Sequence, residues 1–260
     1  MNCPLCNSSS SKPVYHTAKI KVLKCRDCNI VFQDTTVLTQ ELKEYYENRK
    51  PRFRPPTIHR QRRQENILIR LRKLNTFTDP LLVDIGSGWG SFLQQSKAYF
   101  PSKKGIEPNK DQAEYCQREG IEVLNSMYDA SSLKSNSTEL ITLIQVLEHV
   151  ENPKTTLESI YAHLKSGGIA VIDVPSYNNP RFLLYRLTGI RKFAIKDFIV
   201  PHVFYYTPKR LIKLCEEIGF EMAHKSIGQY SIKTGNIFLK PVDWICKYLG
   251  IGSITLFLRK

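Results

Sequence analysis

No run of about 18 consecutive apolar residues occurs in the 260-residue chain, which excludes a membrane-spanning helix of ordinary length. The longest apolar-leaning stretches, 182–187 and 245–258, are interrupted by Arg186, Lys247 and glycines and read as core or lid packing, with peripheral membrane contact left open. The opening Met1-Asn2-Cys3-Pro4 has neither the basic start nor the apolar centre of a secretory signal, so the expectation is a cytoplasmic protein. Internal repeats are absent, and low complexity is confined to serines 8–11, which excludes a solenoid. Acids are the scarce charge: 24 Asp and Glu stand against 38 Lys and Arg, for a formal charge of +14.

The shortage of acids is local. Ten bases and a single acid, Glu65, fall between Arg49 and Lys73, and a second basic group comprises Arg181, Arg186, Arg191, Lys192 and Lys196. Such clusters raise the local potential and favour polyanions, whether nucleic acid, anionic lipid or a phosphorylated small molecule. They fit a solvated linker face equally well.

Four of the seven cysteines form two knuckles, Cys3-x2-Cys6 and Cys25-x2-Cys28, with 18 residues between them. Each knuckle turns two thiolates towards one tetrahedral ion, and two knuckles close the shell, so this spacing predicts a structural zinc site. Disulfides are rare in the cytosol, which favours metal over oxidation there. Cys116, Cys215 and Cys246 have no such partners and fall in apolar helical patterns, where a small buried residue suffices.

After the ribbon, residues 39–48 read as a short helix with Leu42, Tyr45 and Tyr46 on one side, and Pro51, Pro55 and Pro56 break the chain into a linker over 48–57. A basic helix over 57–74 follows. The stretch Val83-Asp84-Ile85-Gly86-Ser87-Gly88-Trp89-Gly90 then reads as strand, tight turn and helix, with glycines letting the backbone turn and a ligand approach. Position 91 is serine where a dinucleotide fingerprint wants its third glycine, and the Gly-Lys-Ser/Thr ending of a phosphate-binding loop is missing.

A second strand over 104–107 ends in Glu107, 21 residues beyond Gly86, where a doubly wound nucleotide fold places the carboxylate that accepts the ribose hydroxyls. Residues 121–124 read as a third strand, followed by Met127 and Tyr128, flat or soft walls for an adenine or a generic loop. The continuous apolar run 139–144 reads as a central strand, and Asn152-Pro153 as the cap and first turn of the next helix. Further expectations are a strand over 169–174, a helix over 209–218 stopped by Gly219, a strand from Phe220, an insertion over 236–250 and a last strand over 254–258.

Asp84, Gly86, Gly88 and Gly90 resemble the first motif of class I S-adenosylmethionine-dependent methyltransferases. Leu143-Ile144-Gln145-Val146-Leu147-Glu148-His149-Val150 resembles the fourth-strand motif of their ubiquinone-type and sugar-methylating branch. With Glu107 and the Lys165-Ser166-Gly167-Gly168 turn, the resemblance covers residues 80–175 in order; Thr138-Glu139 stands where Phe-Asp is usual. A four-cysteine ribbon ahead of such a domain is similar to the zinc-containing methyltransferases that include deoxysugar C-methyltransferases. Their Glu-His-x-x-Tyr-Tyr-Ser string is matched in part by Pro201-His202-Val203-Phe204-Tyr205-Tyr206-Thr207, with Pro201 in place of the glutamate.

The resemblance implies an α/β, Rossmann-like class I methyltransferase with a doubly wound, mostly parallel seven-stranded sheet, preceded by a small zinc ribbon. The implied organisation is a ribbon and short helix over 1–47, a linker over 48–57 and a methyltransferase domain over 58–260 with a cap at about 176–206. S-adenosylmethionine is expected against Asp84, Gly86, Ser87, Gly88, Gly90, Glu107, Met127 and Gln145, and Zn2+ on Cys3, Cys6, Cys25 and Cys28. Methyl transfer is an in-line displacement that rests on alignment and on loss of the nucleophile's proton, so His202 and His149 are the candidate bases and Tyr205 a candidate orienting group. Tyr177, Asn178, Arg181, Tyr185 and Arg191 of the cap suit an anionic or hydroxylated acceptor, such as a nucleotide sugar. O-methylation is favoured over C-methylation because Pro201 removes a carboxylate.

Two other readings stay open. In an RNA methyltransferase, the ribbon and basic stretch would be the binding arm, although no Asn/Asp-Pro-Pro-aromatic string and no Pro-Cys pair after a strand are present. In a non-catalytic binding protein of the same fold, the glycine loop and Glu107 would have no reaction to serve.

Overall fold

The computed structural model describes residues 2–16, 21–34, 50–53, 55–177, 202–227 and 252–260. The expected helix over 39–48, most of the cap with Asn178, Arg181, Tyr185 and Arg191, the insertion over 236–250, Pro201 and Cys246 lie outside the described residues. No helix among the described residues is long and apolar enough to cross a membrane.

Strands β1 (Ser11–His16), β2 (Lys21–Cys25) and β3 (Val31–Gln33) form an antiparallel ribbon below the cysteine knuckles. Helix α1 (Ile58–Leu74) follows, capped by the Thr57 hydroxyl, which accepts from the Arg60 amide at 3.3 Å. Its Gln64, Ile67, Leu68 and Leu71 recur at three- and four-residue spacing and are buried, while Arg72 and Lys73 in the last turn complement the helix dipole.

The main domain alternates β4 (Leu82–Ile85), α2 (Ser91–Ser96), β5 (Lys103–Ile106), α3 (Lys110–Arg118), β6 (Val123–Leu124), β7 (Thr138–Ile144), α4 (Pro153–His163) and β8 (Leu164–Pro175). Then come β9 (Phe204–Tyr205), α5 (Pro208–Ile218), β10 (Glu221–Ile227) and β11 (Ser253–Arg259). The Asn152 cap and the Gly219 stop expected from the sequence form, and Asn109 and Thr207 cap their helices as well: each of the three cap side chains accepts from an amide of the first turn, and Gly219 ends α5 in the left-handed region at φ 110°.

Seven strands make one sheet in the order β6-β5-β4-β7-β8-β11-β10. The pairs from β6 through β8 are parallel, and β11 runs antiparallel to both its neighbours, β8 and β10. This is the doubly wound, mostly parallel sheet that the sequence implied. Because β4 pairs with β5 on one side and β7 on the other, the strand order reverses at its carboxyl end, where open α/β sheets bind their ligands.

Alternate residues of each strand supply the two faces, as the twofold repeat of a strand requires. Val83, Ile85, Ile141, Leu143, Ala170 and Ile172 pack towards α4 and α5, whereas Leu82, Leu140, Ile169 and Val171 pack with residues of α1, α2 and α3. The first of these clusters also contains Cys3, Leu5, Cys25, Ile30 and Phe32, so the ribbon shares a core with the main sheet.

A second link between them was not expected. Strand β9 adds to the ribbon as its fourth strand, pairing Val31 with Tyr205 and Phe32 with Phe204. Sequence alone gives no strand here, because two residues carry no periodicity and the partner edge lies some 170 positions earlier. Pairing with that edge makes them a strand.

Candidate active site

The loop after β4 is built on three left-handed glycines, Gly86 at φ 72°, Gly88 at 55° and Gly90 at 72°. At two of them the missing side chain also makes room. A Cβ on Gly86 would lie 2.4 Å from Val146 Cγ2, and one on Gly90 would lie 2.9 Å from both Cys116 Sγ and Ile121 Cδ1. Gly105 in β5, which the sequence reading passed over, gives the same relief to Ser87, whose Oγ would lie 2.6 Å from an added Cβ.

Glu107 lies beside this loop and is 6% exposed. One carboxylate oxygen accepts from the Gly88 amide at 2.8 Å and the other from the Asn109 amide at 2.9 Å. Burial raises its pKa against the pull of those two amides. A carboxylate offers about four lone-pair positions, so two remain for donors on a bound ligand. Asp84 sits lower, inside β4, accepting from the Thr142 hydroxyl at 2.6 Å, and burial pushes its carboxyl up to about 7.

The other expected residues of this half take different positions. Met127 is exposed, while Tyr128 turns into the protein and its hydroxyl meets His163 Nδ1 at 2.8 Å. Gln145 adopts φ 61°, and its side-chain amide donates to Asp173 Oδ1 at 2.8 Å. Asp173 is fully buried and also accepts from Thr255 at 2.7 Å and from Arg63, whose guanidinium grips both carboxylate oxygens. One base of the α1 run is therefore an internal ligand, and Gln145 is held from below by a network absent from the sequence reading. Beside the loop, Trp89 meets both Tyr115 and Phe53 edge-on and the latter two rings are tilted against each other, with centroids 5.1–5.4 Å apart.

The opposite wall is made where β7 gives way to residues 145–150. The Glu148 carbonyl accepts from the amides of Val203 and Phe204 at 2.8 and 3.1 Å, and the Tyr206 hydroxyl donates to the Leu147 carbonyl at 3.2 Å. The Gln33 amide of the ribbon donates to the Val203 carbonyl at 2.8 Å. These bonds bring His202 against His149, with ring centroids 4.7 Å apart. Burial, and then the neighbouring His149, lower the His202 pKa to about 4, so its ring is neutral at pH 7. Tyr205 is buried with Tyr15, Val22, Val31 and Tyr177, with its ring 6.1 Å from that of His202. Glu148, quoted in the motif but given no role from sequence, is 1% exposed, and burial pushes its carboxyl up to about 8.

At the ribbon, the four expected sulfurs lie together, Cys3 with Cys28 and Cys6 with Cys25 at 3.6 Å each. Tetrahedral zinc with bonds of about 2.3 Å requires sulfurs about 3.8 Å apart, so the donor set and its spacing fit such an ion. The contact between Cys3 and Cys28 holds the Cys3 thiol below its usual range and pushes Cys28 up.

Residues 58–225 match a family model described as a methyltransferase domain. An uncharacterized protein of Methanocaldococcus jannaschii is 24% identical over 165 residues, covering 64% of this chain and 72% of the relative. The ubiquinone biosynthesis O-methyltransferase of Colwellia psychrerythraea is 25% identical over 171 residues, covering 62% of this chain and 69% of the relative. A SAM-dependent methyltransferase of Archaeoglobus fulgidus shares the fold at a TM-score of 0.53 and 18% identity, covering 76% of this chain and 94% of that one. Since the matched model runs from the start of α1 into β10, well over half of the chain, the protein belongs to the methyltransferase-domain family and is an S-adenosylmethionine-dependent methyltransferase.

Proposed function

We propose that the protein methylates a hydroxyl group of a small biosynthetic intermediate, with a sugar or nucleotide sugar as the leading acceptor class. The observation that carries this reading is the imidazole pair His149 and His202, held at the sheet edge that also carries the glycine loop. An alcohol must lose its proton to become a nucleophile, and a neutral imidazole is an acceptor for it. We assign that role to His202 or His149, with Tyr205 as a neighbouring orienting group. The Colwellia relative is an O-methyltransferase, which supports oxygen over carbon.

The cofactor lies in this reading between the glycine loop and residues 145–148. Glu107 takes the ribose hydroxyls, and Gly86, Ser87, Gly88 and Gly90 let the cofactor approach the backbone. Asp84 and Gln145 shape the floor, and Met127 is left to cover the adenine. Cys3, Cys6, Cys25 and Cys28 hold structural Zn2+, whose four thiolates leave no open position. Residues 1–47 then form the ribbon with its short helix, 48–57 the linker and 58–260 the methyltransferase domain, with 176–206 as the acceptor cap. Four metal-bound thiolates and the free thiols Cys116 and Cys215 suit a reducing, cytoplasmic setting.

Labelled S-adenosylmethionine, offered with panels of nucleotide sugars, free sugars, phenols and RNA, tests the reading directly. Transfer to a sugar or phenol hydroxyl, located by mass spectrometry, is the expected result. Transfer to RNA alone would sink it in favour of the nucleic-acid reading.

A further inference from the structure

We propose that Glu148, His149 and His202 form a second metal site, one that takes a divalent cation of the zinc, manganese or iron type and leaves coordination positions open. One carboxylate oxygen of Glu148 and one ring nitrogen from each histidine all lie within 4.8 Å of one another. An ion about 2.1 Å from each of three tetrahedral ligands needs them about 3.4 Å apart. The imidazoles are partly exposed, so side-chain rotation can supply that contraction.

Glu148 is the second, independent sign of a ligand. It is 1% exposed, and neither of its oxygens has a hydrogen-bond partner among the described residues; His149 Nε2 stands off at 3.9 Å. A buried carboxyl group without partners is costly in either protonation state, since the acid form still carries an O–H and a carbonyl to be met. A cation shared with two imidazoles meets that need.

The backbone is arranged to hold the three residues in place whatever their side chains do. The Glu148 carbonyl is bonded by the amides of Val203 and Phe204, and β9 is zipped to β3 of the ribbon. Residues 53 positions apart in the chain are thus clamped next to each other before any ion arrives.

The donor set selects the ion. Two imidazoles and a carboxylate suit zinc, iron or manganese; magnesium and calcium prefer all-oxygen shells, and the absence of thiolate separates this site from the four-sulfur ribbon. Three protein ligands leave one or more positions for water or an acceptor oxygen. This goes beyond the reading above, because ion uptake needs neither acceptor nor S-adenosylmethionine; the base role assigned to the two imidazoles belongs to the ion-free protein, and in the ion-bound protein the same nitrogens serve as ligands.

Cobalt(II) titration of the full chain, with both cofactor and acceptor left out, tests the proposal. The ribbon equivalent is marked by intense thiolate-to-metal absorption. A further equivalent without that absorption is expected, and it should bind at least about tenfold more weakly in Glu148→Gln and His202→Ala. Both variants should keep the thiolate-marked equivalent. Manganese bound to the unmodified chain should show magnetic coupling to two imidazole nitrogens, a readout that does not depend on any variant folding. Uptake of the thiolate-marked equivalent alone at millimolar cobalt, or a further equivalent with no nitrogen coupling, would overturn the site. Loss of methyl transfer to sugars would leave these results untouched, so failure of the acceptor reading and failure of the site are separable.

Discussion

A methyl group placed on Gly86 would lie 2.4 Å from Cγ2 of Val146, because the loops after β4 and β7 touch at the reversal of strand order. Gly86→Ala therefore combines left-handed strain with an overlap against the short, β-branched side chain of Val146. Gly120 has a similar φ of 74° but open space around its Cα. Gly120→Ala should cost only the strain, ~1 kcal/mol, and Gly86→Ala ~3 kcal/mol with at least tenfold weaker S-adenosylmethionine binding. Thermal unfolding and calorimetry of the two variants measure the difference. Equal losses would mean that loop contact is irrelevant to the glycine at position 86.

Glu107 spans the glycine loop and the start of α3 through its two amide bonds. In Glu107→Gln one accepting oxygen becomes an amide donor, which then faces a backbone N–H. Affinity for S-adenosylmethionine should fall about ten- to a hundredfold, the range for losing hydrogen bonds to a charged group. Calorimetric titration checks this, and an unchanged affinity would remove Glu107 from the cofactor site.

Burial holds the Asp84 carboxyl at about 7 in the fold, against an ordinary value of 3.8. Between those values the folded chain binds the proton and the unfolded chain releases it, so this group's contribution to stability is present below pH 4 and is lost as pH rises towards 7. In Asp84→Asn that slope disappears. Urea unfolding of the cofactor-free protein at pH 5 and pH 7 should show a larger drop for the unmodified chain than for the variant; matching drops would contradict the buried, protonated state.

Arg63 grips Asp173, which is fully buried and also holds Gln145 and Thr255. Removing the guanidinium leaves a buried carboxylate short of its charge partner, a change that costs about 3 kcal/mol in comparable settings. Arg63→Met should show that loss in urea unfolding, whereas Arg62→Met on the exposed side of α1 should stay within about 0.5 kcal/mol. Similar values for both would return Arg63 to the solvated basic run.

What could be read in the sequence was local or periodic. The alternate glycines, the Asn152 cap, the Gly219 stop and the apolar run of β7 each declare themselves within a few residues, and the order of elements follows from them. Glu107 was legible because it falls at a fixed distance along one strand-helix-strand unit. What could not be read depends on contacts between distant segments. Arg63 and Asp173 are 110 positions apart, β3 and β9 pair across the whole domain, and Gly105 is needed only because Ser87 packs above it. Glu148 was in view beside His149, but a glutamate in a motif gives no hint that its carboxyl is buried and unmet until Val203 and Phe204 close over its backbone.

The same closure predicts what losing the ribbon does. Cys3, Leu5, Ile30 and Phe32 share a buried cluster with Val203, Phe204 and Tyr206, and β3 pairs with β9 just after His202. The glycine loop and Glu107 have their own partners in β4, β5 and α3, away from the ribbon. Cys6 is exposed, so Cys6→Ser opens the four-sulfur cluster without a core substitution. Such a change should loosen the ribbon edge and free the segment that carries His202, lowering kcat at least tenfold while S-adenosylmethionine affinity moves less than about threefold. Single-turnover kinetics beside calorimetry separate the two effects. If affinity fell in step with turnover, the ribbon would be supporting the whole domain; if neither changed, the strand pairing would hold His202 without the four-sulfur cluster.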